Sequence, residues 1–350
     1  MDGDKIVIAG AAKFVNFANG SNFVKLLKPL GLILPRKLSH YHRDIVTDNV
    51  SDIRDKLVII NGADIETLMN QFQSKLQELL EHNKILWMQD IDRQFDFVSK
   101  KMFRSLEGHA NFYRITDSPD GINDRSFFCE NLFMAENDLG NVNLLNHSLS
   151  NRYFCLMRRQ RLPRDKTVLA LHSKGLIDRN LVVYHGNKDI VPGLYQQEIW
   201  ADLSTFHSKL IKQPFFLLSP YYNDHALELI VETMSENIFI TEKTIRPLTA
   251  GIPFLMVAAK GTLGHIRDKG FMTCDSLWDE SYDLIEDLDQ RIDAVTDILS
   301  YINKKQDGYI KAFNDFQPRV EHNRKLLKSY EEGIQGMIRE QLTNIIEELI

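Results

Sequence analysis

The sequence predicts an α/β protein: two parallel-sheet units in series, followed by C-terminal helices. Three observations carry this. Short apolar runs alternate with a stretch of helical period from Lys5 to Asp90, and a second alternation runs from Arg152 to Ala259. Between them, from Ser105 to Ser150, the pattern loosens into turn-forming and Asn-rich sequence. Residues 311–350 keep a helical period with few breakers.

In chain order, "KIVIAG" (Lys5–Gly10) reads as a short buried strand ending in glycine, and "DKLVIINGAD" (Asp55–Asp64) as a second. "IETLMNQFQSKLQELLEH" repeats its apolar residues at three and four, as on an amphipathic helix, and "KILWMQD" (Lys84–Asp90) is a third strand. "RITDSPDGINDRS" and "ENDLGNVNLLNHSLSN" are read as loops. The second series opens with the strand "RYFCLM", a helix in "DKTVLALHSKG" starting near Asp165 and stopped by glycine, and the strand "NLVVYHG". "PFFLLS", "ALELIVET" and "FLMVAA" are further apolar runs. "GTLGHIRDKG" is a short helix capped by Gly270. "DLDQRIDAVTDILSYINKK" is an amphipathic helix with Ile292, Val295, Ile298, Leu299 and Ile302 on one face. The expected division is residues 1–150, residues 151–310 and C-terminal helices over 311–350. An open parallel sheet presents its ligand crevice at the carboxyl ends of its strands. Two such edges facing each other across a cleft suit a reaction between two substrates.

Composition narrows the classes. The chain has 350 residues, 43% hydrophobic and 26% charged, as in ordinary soluble globular proteins. Its formal net charge of −6 exerts no global pull toward nucleic acid or an anionic membrane, although a local basic face is compatible with it. Cys129, Cys155 and Cys274 lack Cys-x-x-Cys spacing, which argues against a thiolate zinc site and for free thiols. The acidic N-terminus is unlike a signal peptide. No apolar stretch approaches the about 20 residues that span a bilayer, so the expectation is a soluble cytoplasmic protein.

Two stretches carry candidate chemistry. In "MRRQRLPRDKTVLALHSKG" (Met157–Gly175) a strand ends, Arg158, Arg159, Arg161 and Arg164 follow, and a helix begins. Unpaired N–H groups at a helix start, joined by guanidinium groups, make an anion site. A solvated basic loop is the plainer reading. The sequence has neither G-x-G-x-x-G nor a P-loop. In "IFITEKTIRPLTAGIPFLM" (Ile238–Met256) a strand end is followed by Thr241, a helix cap, then by Glu242 and Lys243 in the first turn. A carboxylate suits a ribose diol and an ammonium a phosphate. By local rules alone the triplet is an ordinary helix start. Pro247 lies too deep for the first turn and predicts a kinked or late-starting helix.

Other signals are slighter. Glu232 closes an apolar run as a ligand-binding, base or capping candidate. His40 and His42 are too few for a metal site, and no metal ligands are assigned. With Arg36, Lys37 and Arg43 they form a basic patch suited to a polyanionic acceptor. "DID" (Asp90–Asp92) has the letters of an Asp-x-Asp motif but reads as a helix start.

Residues 226–271, "ALELIVETMSENIFITEKTIRPLTAGIPFLMVAAKGTLGHIRDKGF", resemble the donor-binding region of GT-B glycosyltransferases, most nearly the fucosyltransferase-like and exostosin-like branches. "WDESYD" (Trp278–Asp283) and the "RRQRLPRDKTVLALHSKGLID" block are similar to further elements of that family. The same combination resembles viral and phage-encoded glycosyltransferases. The resemblance spans Arg152 to about Tyr301. It implies a GT-B fold of two Rossmann-like domains with returning C-terminal helices. It also implies a nucleoside diphosphate sugar, UDP- or GDP-linked, as co-substrate, with no permanently bound cofactor or metal.

Carried over residue by residue, Arg164 contacts the donor pyrophosphate with Arg158 nearby, Glu242 binds the ribose hydroxyls and Lys243 the phosphates. Glu232 and Thr241 line the pocket. The implied reaction transfers a sugar to a hydroxyl or amine. If it inverts, a carboxylate of the N-terminal domain is the base: Asp90, at the end of "ILWMQ", or Asp64, at the end of "LVIINGA". The acceptor is open among a saccharide, a protein, a lipid-linked acceptor and a modified base in phage-type DNA, the last supported by Arg36, Lys37 and Arg43. The alternative is a non-catalytic module on the same fold that binds a nucleotide sugar or a partner.

Overall fold

Short runs of Val, Ile, Leu and aromatic residues form the strands, and their near-continuous apolar character suits parallel sheets covered on both faces. The computed structural model describes residues 6–9, 42–43, 57–61, 73–88, 109–116, 126–128, 148–157, 160–178, 180–184, 221–238, 240 and 242–347. Contacts divide the chain into two units. One holds residues 1–134 with 331–350, the other residues 135–330.

In the first unit the described elements are β1 (Ile6–Ala9), β2 (His42–Arg43), β3 (Leu57–Asn61), α1 (Gln73–His82), β4 (Lys84–Met88), β5 (Phe112–Thr116) and β6 (Ser126–Phe128). The sheet order is β2-β1-β3-β4-β5-β6, and every pairing is parallel. α1 turns Leu76, Leu79 and Leu80 inward, at the three- and four-residue spacing that predicts it. Within "SHYHR", His42 and Arg43 form a short strand that pairs with Ile8 and Ala9. One expectation changes. The stretch read as loops between Ser105 and Ser150 contains β5 and β6. These strands are five and three residues long and are flanked by turn formers, so they leave almost no periodic signal.

The second unit contains β7 (Ser150–Met157), α2 (Leu162–Ser173), β8 (Leu181–Tyr184), β9 (His225–Val231), α3 (Glu242–Ala250), β10 (Phe254–Val257), α4 (Thr262–Asp268), α5 (Leu288–Asn303) and α6 (Gly308–Glu347). Residues of α6 beyond Tyr330 group with the first unit. The sheet order is β10-β9-β7-β8, again all parallel. β9 and β10 are buried along nearly their whole length, with Leu227, Leu229, Phe254, Leu255 and Val257 in the core. α5 is capped by Asp287, whose carboxylate accepts from Gln290 N at 2.9 Å. It buries Ile292, Val295, Leu299 and Ile302, while Ile298 is half-buried. Cys155 and Cys274 are buried free thiols.

Three boundaries move. α2 starts at Leu162, before Asp165, because Pro163 fits a first helical turn where no N–H is needed. α3 starts at Glu242 and runs through Pro247, so the late start does not occur. The C-terminal helices are one helix of 40 residues that also contains Pro318. Its first turn is capped from β7, as Asn151 Oδ1 accepts from Tyr309 N at 2.9 Å.

Candidate functional site

β7 stands where the strand order of the second sheet reverses. The chain moves from β7 to β8 on one side, and β9 and β10 lie on the other. In open α/β sheets such a reversal leaves a crevice outside the carboxyl ends of the two central strands, here β7 and β9. The Arg-rich segment follows β7. Glu232 and Thr233 follow β9 directly, and α3 comes next.

Arg164 lies in the first turn of α2 and is buried, 3% exposed. Its Nη2 donates to Thr233 Oγ1 at 3.1 Å, joining the chain after β7 to the chain after β9. The next residue, Asp165, accepts from Tyr184 Oη at 2.6 Å on one oxygen and from Gln160 Nε2 at 3.2 Å on the other. The start of α2 therefore carries a carboxylate of its own, fixed to the end of β8.

Glu232 is fully buried, 0% exposed. Its Oε1 accepts from Thr244 Oγ1 at 2.9 Å, and its Oε2 faces Lys243 Nζ at 3.6 Å. Both partners belong to the first turn of α3. A buried carboxylate needs this kind of compensation, because desolvation otherwise outweighs its remaining interactions.

Four residues earlier, Glu228 interrupts the apolar run of β9. It is in register with Phe154 on β7 and Phe254 on β10. Tyr222 Oη donates to its Oε2 at 2.9 Å. Burial in the sheet pushes the carboxyl up to about 8. The Tyr222 hydroxyl, Arg246 and Lys243 oppose the shift, and the negative charge of Glu232 adds to it. Glu228 thus lies in β9 and Glu232 just beyond its end, with Glu228 in the field of Lys243 and Arg246 on α3.

The acidic residues of "WDESYD" serve the scaffold. Asp283 accepts from Leu263 N and Gly264 N at 3.0 Å each and caps α4. Glu280 is buried against Arg267, Thr273 and Cys274 N, and Asp279 accepts from Ser281 N.

The structure thus brings Arg164, Glu232 and Lys243 to one sheet edge. Glu242 opens α3 and Arg43 lies in β2, both described by backbone alone. Arg158, Thr241, Asp64, Asp90, Arg36 and Lys37 lie outside the described residues, as do "PFFLLS" and Cys129. Sequence reasoning missed Tyr222, Glu228, Thr233 and Thr244. Glu228 had a signal, a lone charge inside "ALELIV". The two threonines had none, since their role depends on partners distant in sequence. Among the described residues, no group of three or more His, Cys, Asp or Glu is arranged to hold a metal ion, and no helix is long and apolar enough to cross a membrane.

No protein-family model matches the chain, and no curated protein sequence does. It is similar to crystal structures of an alpha1,3-fucosyltransferase, one of them with GDP and another with GDP-fucose. Sequence identity is 12 to 13%, the TM-score is 0.43 to 0.44, and the match covers 93% of this chain and 90% of that one.

Proposed function

We propose that the protein is a GT-B-type glycosyltransferase that moves a sugar from a nucleoside diphosphate sugar to an acceptor hydroxyl. The observation that supports this best is that two cations from different helices are each anchored just past the end of β9, beside the switch-point crevice. Arg164 arrives from α2 and Lys243 from α3, each tied to the end of β9. As the bond from the anomeric carbon to the diphosphate oxygen breaks, negative charge grows on the departing diphosphate. A preorganised guanidinium, an ammonium and two helix N-termini stabilise that charge without a bound metal. Glu242, with two acceptor oxygens, takes the ribose hydroxyls. Arg158 and Thr241 complete the pocket, and Glu232, fully buried, backs it through Lys243. Asp90 or Asp64 is the base for the acceptor in an inverting reaction. Arg36, Lys37 and Arg43 meet the acceptor, with a modified base in phage-type DNA as the anionic candidate.

Calorimetry with GDP and UDP tests the donor site. Lys243→Ala and Arg164→Ala should each weaken the better nucleotide by about tenfold or more, because each removes a charge-assisted hydrogen bond to phosphate. Unchanged affinity in both, in folded protein, overturns the reading. Slow hydrolysis across a panel of UDP-, GDP- and CMP-sugars, persisting in EDTA, is the expected catalytic signature. Binding without any hydrolysis leaves the non-catalytic module instead.

A further inference from the structure

The two residues that follow β9 take roles separate from the ligand-binding groups around them. Glu232 and Thr233 are adjacent, at the turn that leaves β9. Here each takes its partner from a different helix. Thr233 Oγ1 accepts from Arg164 Nη2 at 3.1 Å, from α2. Glu232 takes the Thr244 hydroxyl at 2.9 Å and faces the Lys243 ammonium at 3.6 Å, both from α3. Glu232 is 0% exposed and Arg164 3% exposed, whereas the Lys243 side chain keeps 18% of its surface. The carboxylate thus lies behind the ammonium. Arg and Lys side chains are rotamer-rich, and fixing one in a single geometry without support costs entropy at the moment of binding. Supporting interactions made in the free protein remove that cost.

We propose that Glu232 and Thr233 are positioning residues, a two-residue clamp that holds Lys243 and Arg164 in place for a diphosphate, with Thr244 orienting Glu232. Neither touches the donor. This rests on the donor-site reading above and assigns it a source of selectivity. Two cations held in place favour a nucleoside diphosphate over the monophosphate, and loosening either one erodes that preference.

The test is calorimetry of the full chain with GDP and GMP, and with UDP and UMP. Thr233→Val removes the acceptor while keeping the shape. Glu232→Gln keeps the Thr244 hydrogen bond and removes the charge facing Lys243. Each should lower the ratio of diphosphate to monophosphate affinity by about tenfold, and Thr233→Ser should restore it to within about twofold. A merely structural role would weaken both nucleotides together and leave the ratio alone. Should either variant lose its cooperative thermal transition, Thr244→Val replaces it, with the same expected fall in the ratio. A wild-type chain that binds neither diphosphate overturns this inference together with the donor-site reading. Diphosphate binding by the wild type with an unchanged ratio in the folded variants overturns the inference alone.

Discussion

At the scale of single residues, Glu228 is the most unusual group in the second unit. A carboxyl in register with Phe154 and Phe254, bonded to Tyr222, holds its proton more tightly folded than unfolded. Its ordinary value of 4.5 rises to about 8. The sign follows from linkage. The stability that Glu228 contributes is fully present below pH 4.5 and is lost as pH rises through about 8. Glutamine keeps an acceptor for Tyr222 and cannot ionise. Glu228→Gln should therefore gain on the wild type as pH rises from about 5 to about 9, on the order of 2 kcal/mol or more. Thermal unfolding of both proteins across that range checks this, and parallel pH profiles would count against it. The neighbouring Glu232, just past the end of β9, has different compensation, from Thr244 and Lys243, which is why the two acids take different roles.

At the scale of elements, α3 is held from its C-terminal end. The last carbonyls of a helix lack intrahelical partners. Here α6 supplies them: Arg324 Nε donates to Thr249 O at 2.9 Å, Arg324 Nη2 to Ala250 O at 3.2 Å, and Gln317 Nε2 to Gly251 O at 3.0 Å. Gly251 makes this approach possible. Its φ is 78°, and a Cβ there would lie 2.7 Å from Val320 Cγ1. Gly251→Ala combines left-handed backbone strain with a collision, and should cost about 2–4 kcal/mol of stability. Adding Val320→Ala should recover the collision part but not the backbone part. Thermal unfolding of the single and double variants measures that coupling, and additive losses would show that the two side chains do not compete for space. Because α3 carries Glu242 and Lys243 at its other end, the same docking sets where that first turn begins. Pro247 is accommodated within this arrangement, its carbonyl accepting from Gly251 N at 2.8 Å.

At the scale of the whole molecule, charge bears on the acceptor. A net charge of −6 gives DNA no general attraction, so a DNA acceptor has to be held by a local patch. "PRKLSHYHR" is the segment that can supply one, and its Arg43 falls in β2, at the edge of the first sheet. If the acceptor is a base in DNA, binding should weaken with salt. Replacing Arg36, Lys37 and Arg43 by Gln should then flatten the log–log salt dependence by about one for each phosphate that no longer meets a cation. Fluorescence anisotropy with a duplex at several salt concentrations reads this directly. Binding that is absent, or equally salt-dependent in the triple variant, removes DNA from the acceptors.

The sequence by itself determined the α/β class, most of the strands and helices, and the two segments that hold Arg164 and Lys243. These features depend on local periodicity, turn chemistry and helix starts, which neighbouring residues specify. β5 and β6 escaped because strands of five and three residues carry too little alternation to register, and α6 continued through Pro318 where local rules expect an interruption. Only the tertiary structure decided that β7 adjoins β9 and that Arg164 reaches Thr233, 69 positions away in the chain. It also buried Glu232 behind Lys243 and set Glu228 in register with two phenylalanines from other strands. Strand order and cross-strand register are set by long-range pairing, so the partners of a strand-end residue cannot be read from its own neighbours.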